Sequence, residues 1–228
     1  MVRVSGSHPR SLRPAYPLRG ERLLLRPLAI GDADALLAYR SREDVCRYVP
    51  FEPMSRDDII ERIAGQWART ELTDEGQSLT LGAQVGETSE LVGDVVLFWR
   101  SRAHAGGELG YVFNPALGGR GYATEAANVM LRLGFEGLGL HRIVARIDER
   151  NESSVKLARR LGMRQEARRS ATSSSKASGA PSLTSRCSLT SGTRAGRNSD
   201  FDPNPGSPGP SRTPSGTCPW EGMPSALR

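Results

Sequence analysis

The sequence predicts a mixed α/β domain followed by a segment without apolar periodicity. Three observations carry that prediction. Between residues 78 and 113, short β-rich runs follow one another with turn-length breaks, as antiparallel strands do. From Gly121 the apolar period lengthens to that of a helix, shortens to two, then lengthens again. After Glu166 apolar periodicity stops.

In chain order, "ERLLLRPL" (21–28) reads as a strand. "GDADALLAYRS" follows, with Asp32 as the expected N-cap and Ala35, Leu36 and Tyr39 at helical spacing. "SRDDIIERIAGQWART" opens with a capping box, Ser55 and Asp58, and Ile59, Ile60, Ile63 and Trp67 make one apolar stripe. "SLTLGAQV" and "ELVGDVVLFW", split by residues 86–89, predict an antiparallel pair. "GELGYVFNP" is a further strand that Pro115 helps to end. Ala123, Ala126, Ala127, Met130, Leu133 and Gly134 then share one helical face. "HRIVARIDE" alternates, with Ile143, Ala145 and Ile147 on one side. In "NESSVKLARRLGM", Val155, Ala158 and Leu161 face inward on a second helix that Gly162 closes. Strand, helix, strand in this order predicts a right-handed crossover between parallel strands.

Composition narrows the function. No run of about 18 apolar residues is present, so no transmembrane helix is expected. The basic N-terminus lacks the apolar core of a secretory signal. Cys46, Cys187 and Cys218 have no CxxC spacing, so neither a disulfide framework nor a metal site is expected, and the location expected is cytoplasmic. The net charge of +6 is unevenly spread: residues 1–20 carry +4 and 167–228 carry +5, leaving −3 for 21–166. Basic charge gathered in the ends rather than on the foldable part argues against nucleic-acid binding. The expected organisation is a basic flexible leader (1–20), a folded domain (21–166) and a disordered Ser/Pro/Gly/Arg-rich tail (167–228).

"GGRGYATEAA" (118–127) is the one stretch with the character of a ligand loop. A GxxxxGK[ST] phosphate loop is excluded, because no Lys follows Gly121. A GxGxxG dinucleotide fingerprint fits poorly, with Thr124 where the third glycine belongs. What remains is an anion held by the free N–H groups of a helix's first turn. The plain alternative is a helix start that needs glycine only for packing.

The stretch "ELGYVFNPALGGRGYATEAANVMLRLGFEGLGLHRIVARIDERNESSVKLARRLGM" resembles the GNAT superfamily of acetyl-CoA-dependent N-acetyltransferases, and most of all the subgroup of ribosomal-protein N-terminal acetyltransferases. The likeness runs over residues 21–163, with "ERLLLRPL" and "DVCRYVPFEPMS" similar to that subgroup's first half. It implies the GNAT acyl-CoA N-acyltransferase fold and acetyl-CoA as cosubstrate. By resemblance, the pyrophosphate sits on the N–H groups of Gly119, Arg120, Gly121, Tyr122, Ala123 and Thr124, with Arg120 near the phosphates. The pantetheine arm pairs like a strand with Tyr111, Val112 and Phe113, and Asn151 orients it. One departure is Gly118, where the superfamily often has Gln or Arg.

Acetyl transfer from a thioester needs a deprotonated amine, donors for the oxyanion and a partner for the departing thiolate. Many members of the superfamily supply the last with a Tyr on the final helix; Ala158 stands there. The subgroup places a Ser one turn earlier, which matches Ser154. Glu108 is the candidate base, directly or through a water. Each candidate has a structural alternative: Ser154 and Asn151 as helix caps, Glu108 as an edge acid. His104 and His141 read as structural, and Trp67, Trp99 and Tyr39 as core or pocket wall.

The family continues past Met163 with two strands that complete the sheet; this chain continues with its Ser/Pro-rich tail. Codons for residues 170–190 can be chosen so that the same bases, read one nucleotide earlier, spell ERHFVEQGEWSAELDFAVLAH, the expected hairpin. The tail therefore reads as a frameshift. Without the hairpin, the strand around Ile143 is expected to be a bare edge and the chain marginally stable. The resulting expectation is an N-acetyltransferase acting on a protein N-terminus or a small-molecule amine, as a monomer or homodimer. Its rivals are an impaired remnant that binds coenzyme A, and a nucleic-acid-associated protein that uses the basic tails.

Overall fold

A computed structural model describes residues 11–169 and 182–188. Eight strands form one sheet: β1 (Leu18–Arg19), β2 (Leu23–Pro27), β3 (Ser78–Val85), β4 (Leu91–Ser101), β5 (Gly106–Phe113), β6 (Arg142–Asp148), β7 (Arg164–Arg169) and β8 (Ser182–Ser188), in the order β1-β2-β3-β4-β5-β6-β8-β7. Neighbours from β1 to β5 are antiparallel. β5 and β6 are parallel, joined through α4 (Tyr122–Arg132), as the strand–helix–strand pattern predicts.

Two apolar clusters cover the sheet. On one face, α4 and α5 (Glu152–Arg160) pack Met130, Leu157, Ala158 and Leu161 against Leu81, Leu97, Leu109 and Ile143. The other cluster gathers α1 (Ala33–Arg40), α2 (Glu43–Cys46) and α3 (Arg56–Ala64) around Leu36, Tyr39, Ile59, Ile63, Trp67 and Val112. Successive strand residues point to opposite faces, so Leu109 joins the first cluster and Val112 the second. Cover on both faces explains why β3 is buried almost throughout instead of alternating.

The α1–α3 layer is tied down by a buried polar group. Asp94 of β4 accepts from the Tyr39 hydroxyl at 2.7 Å and from Arg40 Nε at 3.1 Å. The Arg40 guanidinium lies 4.8 Å from the Phe51 ring and 4.6 Å from the Trp67 ring. Both charges are out of water, yet each has hydrogen-bonded partners, which is what makes a buried pair tolerable. Tyr39 and Trp67 are thereby structural.

Four expectations need correction. Asp32 does not cap α1 with its side chain; it accepts from the Ala29 N–H and pairs with Arg26, because a 3-10 turn (Ile30–Asp32) precedes the helix. Residues 11–20 are not a leader outside the fold: Leu18 lies on β1 and Leu12, which bridges to Leu72, is buried, two apolar side chains giving this stretch a reason to dock. Residues 1–10 lie outside the described part. Helix α4 is buried over residues 125–132, not on one face alone, because strands and α5 enclose it.

The fourth correction concerns the expected loss of the last two strands. β7 and β8 occupy that place, and β8 pairs with β6 over its whole length, so β6 is not a bare edge. Ladder bonds use main-chain groups that every non-proline residue carries, so a Ser-rich run without proline can fill the position. The remainder of the predicted disordered tail lies outside the described residues.

Candidate active site

β5 and β6 pair through only three register positions, Gly106↔Arg142, Gly107↔Ile143 and Glu108↔Val144. Beyond Glu108 the two strands part, β5 staying with β4 and β6 with β8. A slot opens between them toward their carboxyl ends. Because the strands are parallel, the connections at that end lead to the N-termini of both α4 and α5. Open α/β sheets bind ligands at such a place.

The glycine loop faces that end. Asn114 starts a 3-10 turn (Pro115–Leu117), which Gly118 closes in an extended conformation. Gly119 and Gly121 then take φ of 78° and 82°, the left-handed region that other residues adopt only with strain. Gly121 is the N-cap of α4 and offers no side chain to its first-turn N–H groups. Nothing lies within 4 Å of where a Cβ on Gly119 would stand. Uncapped amides beside open space suit an anionic group, and the helix dipole favours one. The loop residues named from the sequence, Gly119 to Thr124, are thus brought together here, as are Tyr111, Val112 and Phe113 along the open part of β5.

The candidate catalytic side chains separate onto the two faces of the sheet. Glu108, Gly110 and Val112 face the α1–α3 side, and Tyr111 and Phe113 the α4–α5 side. Glu108 sits at the fork of the slot, half-buried. Arg100 Nε donates to its Oε2 at 3.0 Å, and Arg146 Nε lies 3.5 Å from the same oxygen. It is therefore no free edge acid: two guanidiniums steer it. A cavity of about 520 Å³ beside α3, lined in part by Glu52, Asp58, Glu61 and Arg62, lies with the helices on this side.

On the other face, Asn151 caps α5, its Oδ1 accepting from the Ser154 N–H at 3.1 Å and the Ser153 hydroxyl at 3.0 Å. The capping role is therefore real, and the Asn151 amide nitrogen is still available to a ligand. The Tyr111 hydroxyl donates to the Ser154 carbonyl at 3.4 Å, joining β5 to α5. Burial pushes the Tyr111 phenol up to about 12, a rise that the side-chain hydroxyl of Ser154 moderates. Ala158 is buried against the core.

His104 and His141 precede β5 and β6, at the opposite end of the strands from the slot, and the His141 N–H donates to the Ala105 carbonyl. The sequence pattern did not single out Glu125 and Arg22, which flank the glycine loop. Glu125 is buried in the first turn of α4 and accepts from the main-chain N–H of Arg22 and Leu23 and from Arg22 Nε. Residue 125 shares its side of α4 with Asn128, Val129 and Arg132 rather than with the Ala/Met face, so its burial leaves no mark on the apolar periodicity. Among the described residues, no helix is long and apolar enough to cross a membrane.

Comparison with known proteins agrees with this geometry. The family model described as "Acetyltransferase (GNAT) domain" matches residues 22–164. An uncharacterized N-acetyltransferase of Bacillus licheniformis, p20, is 33% identical over 150 residues, 64% of this chain and 81% of that protein. The crystal structure of a GNAT-family acetyltransferase from Bacillus anthracis superposes with a TM-score of 0.67 at 26% identity, over 75% of this chain and 97% of that one. Spermidine N-acetyltransferase from Vibrio cholerae, solved with CoA and spermine, shares the fold with a TM-score of 0.62 at 21% identity, over 73% of this chain and 95% of that one.

Proposed function

Because this chain belongs to the GNAT acetyltransferase family, whose members use acetyl-CoA as cosubstrate and amines as acceptors, we propose that it transfers an acetyl group directly from acetyl-CoA to a protein N-terminus or a small-molecule amine. The observation that carries this reading is the parting of β5 from β6 beyond Glu108, at the end of the sheet where the uncapped α4 begins. Gly119 to Thr124 hold the diphosphate in this reading, Tyr111 to Phe113 run beside the pantetheine, and Asn151 orients it through its amide nitrogen. Ser154, one turn before the buried Ala158, supports the N-terminal acetyltransferase subgroup.

The acceptor amine approaches from the α1–α3 side and gives a proton to Glu108, directly or through a water. A base matters more for a side-chain amine, with a pKa near ~10.4, than for an α-amine near ~8. The nitrogen lone pair forms a C–N bond at the thioester carbon. Main-chain N–H groups of β5 beyond Glu108, which β6 leaves unpaired, hold the oxyanion. The C–S bond then breaks, the sulfur keeps the electron pair, and the hydroxyls of Ser154 and Tyr111 stabilise it. Amide formation releases a second proton from the nitrogen, which ends on the sulfur, and the proton taken by Glu108 passes to solvent, which balances the reaction.

Incubation with acetyl-CoA and either spermidine or a peptide with a free α-amine tests this. The expected result is an N-acetylated product by mass spectrometry with equal release of CoA thiol. Calorimetric binding of CoA with no product from any of a broad set of amines would remove the catalytic reading and leave a CoA-binding protein.

A further inference from the structure

A carboxylate in the first turn of α4 is at odds with an anion site at the same helix end. Glu125 enjoys the field of the helix dipole there, but it repels any phosphate brought to the same amides. How the chain resolves that conflict is visible in the contacts of the carboxylate. Oε1 accepts from the Arg22 N–H at 2.6 Å and from the Leu23 N–H at 2.9 Å. Oε2 accepts from Arg22 Nε at 3.0 Å and lies 2.9 Å from the other guanidinium nitrogen, Nη2. Gly20 leaves the space: a Cβ there would stand 2.6 Å from Oε1.

The same guanidinium reaches the loop. Arg22 Nη1 donates to the Arg120 carbonyl at 3.0 Å, and the guanidinium carbon lies 5.0 Å from the centre of the Tyr122 ring. One side chain just before β2 thus holds the carbonyl in the middle of the glycine loop and neutralises the acid just behind it. Glu125 is 6% exposed, whereas the Arg22 side chain is 49% exposed and open toward solvent.

We propose that Arg22 is a positioning residue for the cosubstrate: it cancels the charge of Glu125 and fixes the Arg120 peptide, so that the N–H groups of residues 119–124 can accept a diphosphate. This rests on the reading that the loop holds the phosphates of acetyl-CoA. It makes a specific electrostatic claim. Without Arg22, the loop fails because Glu125 is left charged, and removal of that charge restores the site.

Calorimetric titration with CoA of the full chain and of Arg22→Met, Arg22→Lys, Glu125→Gln and Arg22→Met/Glu125→Gln tests the claim, with thermal melts for folding. Arg22→Met is expected to weaken CoA binding on the order of tenfold, the size of a helix-terminus charge effect. The double variant is expected to bind more tightly than Arg22→Met, and Glu125→Gln about as well as the parent. Arg22→Lys, which keeps the charge but cannot bridge both partners, is expected to fall between. In turnover the loss is expected in KM for acetyl-CoA, with kcat little changed. If Arg22→Met does not fold, the gap between Arg22→Lys and Arg22→Lys/Glu125→Gln gives the same comparison. A double variant no better than its single Arg22 parent overturns the inference. Failure of the unmodified chain to bind CoA instead overturns the functional reading beneath it.

Discussion

The hydroxyl of Tyr111 on β5 reaches the main-chain carbonyl of Ser154 on α5 at 3.4 Å, on the side of the sheet away from Glu108. The bond is long, so the hydroxyl can turn to a better partner at little cost. With Ala158 where the family has its usual Tyr, the proposed mechanism assigns Tyr111 to the departing sulfur. Tyr111→Phe is expected to lower kcat roughly ten- to a hundredfold, the worth of a hydrogen bond to a charged group. KM for acetyl-CoA should change little; steady-state rates against acetyl-CoA concentration check both.

Removal of the Glu108 carboxylate tests the other face. Glu108→Gln keeps the shape and deletes the base, so turnover is expected to fall about a hundredfold or more. Its ion pairs with the half-exposed Arg100 and Arg146 contribute little to folding, so the unfolding free energy should move by less than about 1 kcal/mol. Paired activity and urea-unfolding measurements separate the two effects.

Gly121→Ala puts a Cβ on a residue at φ 82°. Left-handed strain of about 1–2 kcal/mol per residue is expected, and the loop should relax away from the geometry that aims its amides. The measurement is CoA affinity beside thermal stability: affinity should fall by more than the stability loss alone accounts for.

Alkaline pH should unfold the protein more readily than neutral pH. Burial raises the phenols of Tyr16 and Tyr111, and raises Tyr39 strongly, with the charge of Asp94 adding to it. In the unfolded chain these groups ionise near 10, below their folded values. The folded state then binds more protons above pH 10, so this stability is present below about 10 and lost as pH rises through the folded pKa values. Urea midpoints at pH 8, 10 and 11 check it; an unchanged midpoint at pH 11 would count against buried, protonated tyrosines.

The tail offers a genetic test. We infer that residues 170–190 are read one nucleotide out of the frame that suits the fold. In the other frame, position 183 stays Leu and positions 185 and 187 become Phe and Val. These are the register partners of Ile147, Ala145 and Ile143, all buried on β6. A chain rebuilt in that frame is expected to gain a few kcal/mol of stability from the added apolar burial. Gene sequence across the codons for residues 166–170 that cannot encode the alternative reading would end the idea.

The sequence alone determined the order of elements from β3 to α5 and singled out the glycine loop ahead of α4. Periodicity places Ile143, Ala145 and Ile147 on one face, and glycine at 119 and 121 marks positions of positive φ, because both are local properties of the chain. The capping box of Ser55 and Asp58 was legible for the same reason.

What the tertiary structure decided is what depends on distant partners. Glu108 reads alone as an acid on a strand; only the fold brings Arg100 and Arg146 to it. Glu125 lies 103 residues from Arg22, and no local pattern connects them. Leu12 and Leu18 joined the core, and residues 182–188 became β8, because an open sheet edge and an apolar surface recruit whatever chain can meet their main-chain bonds and burial. Local periodicity sets which way a side chain points along its own element. What it then meets is set by packing, and at this site packing decides which charges are neutralised and which amides stay free.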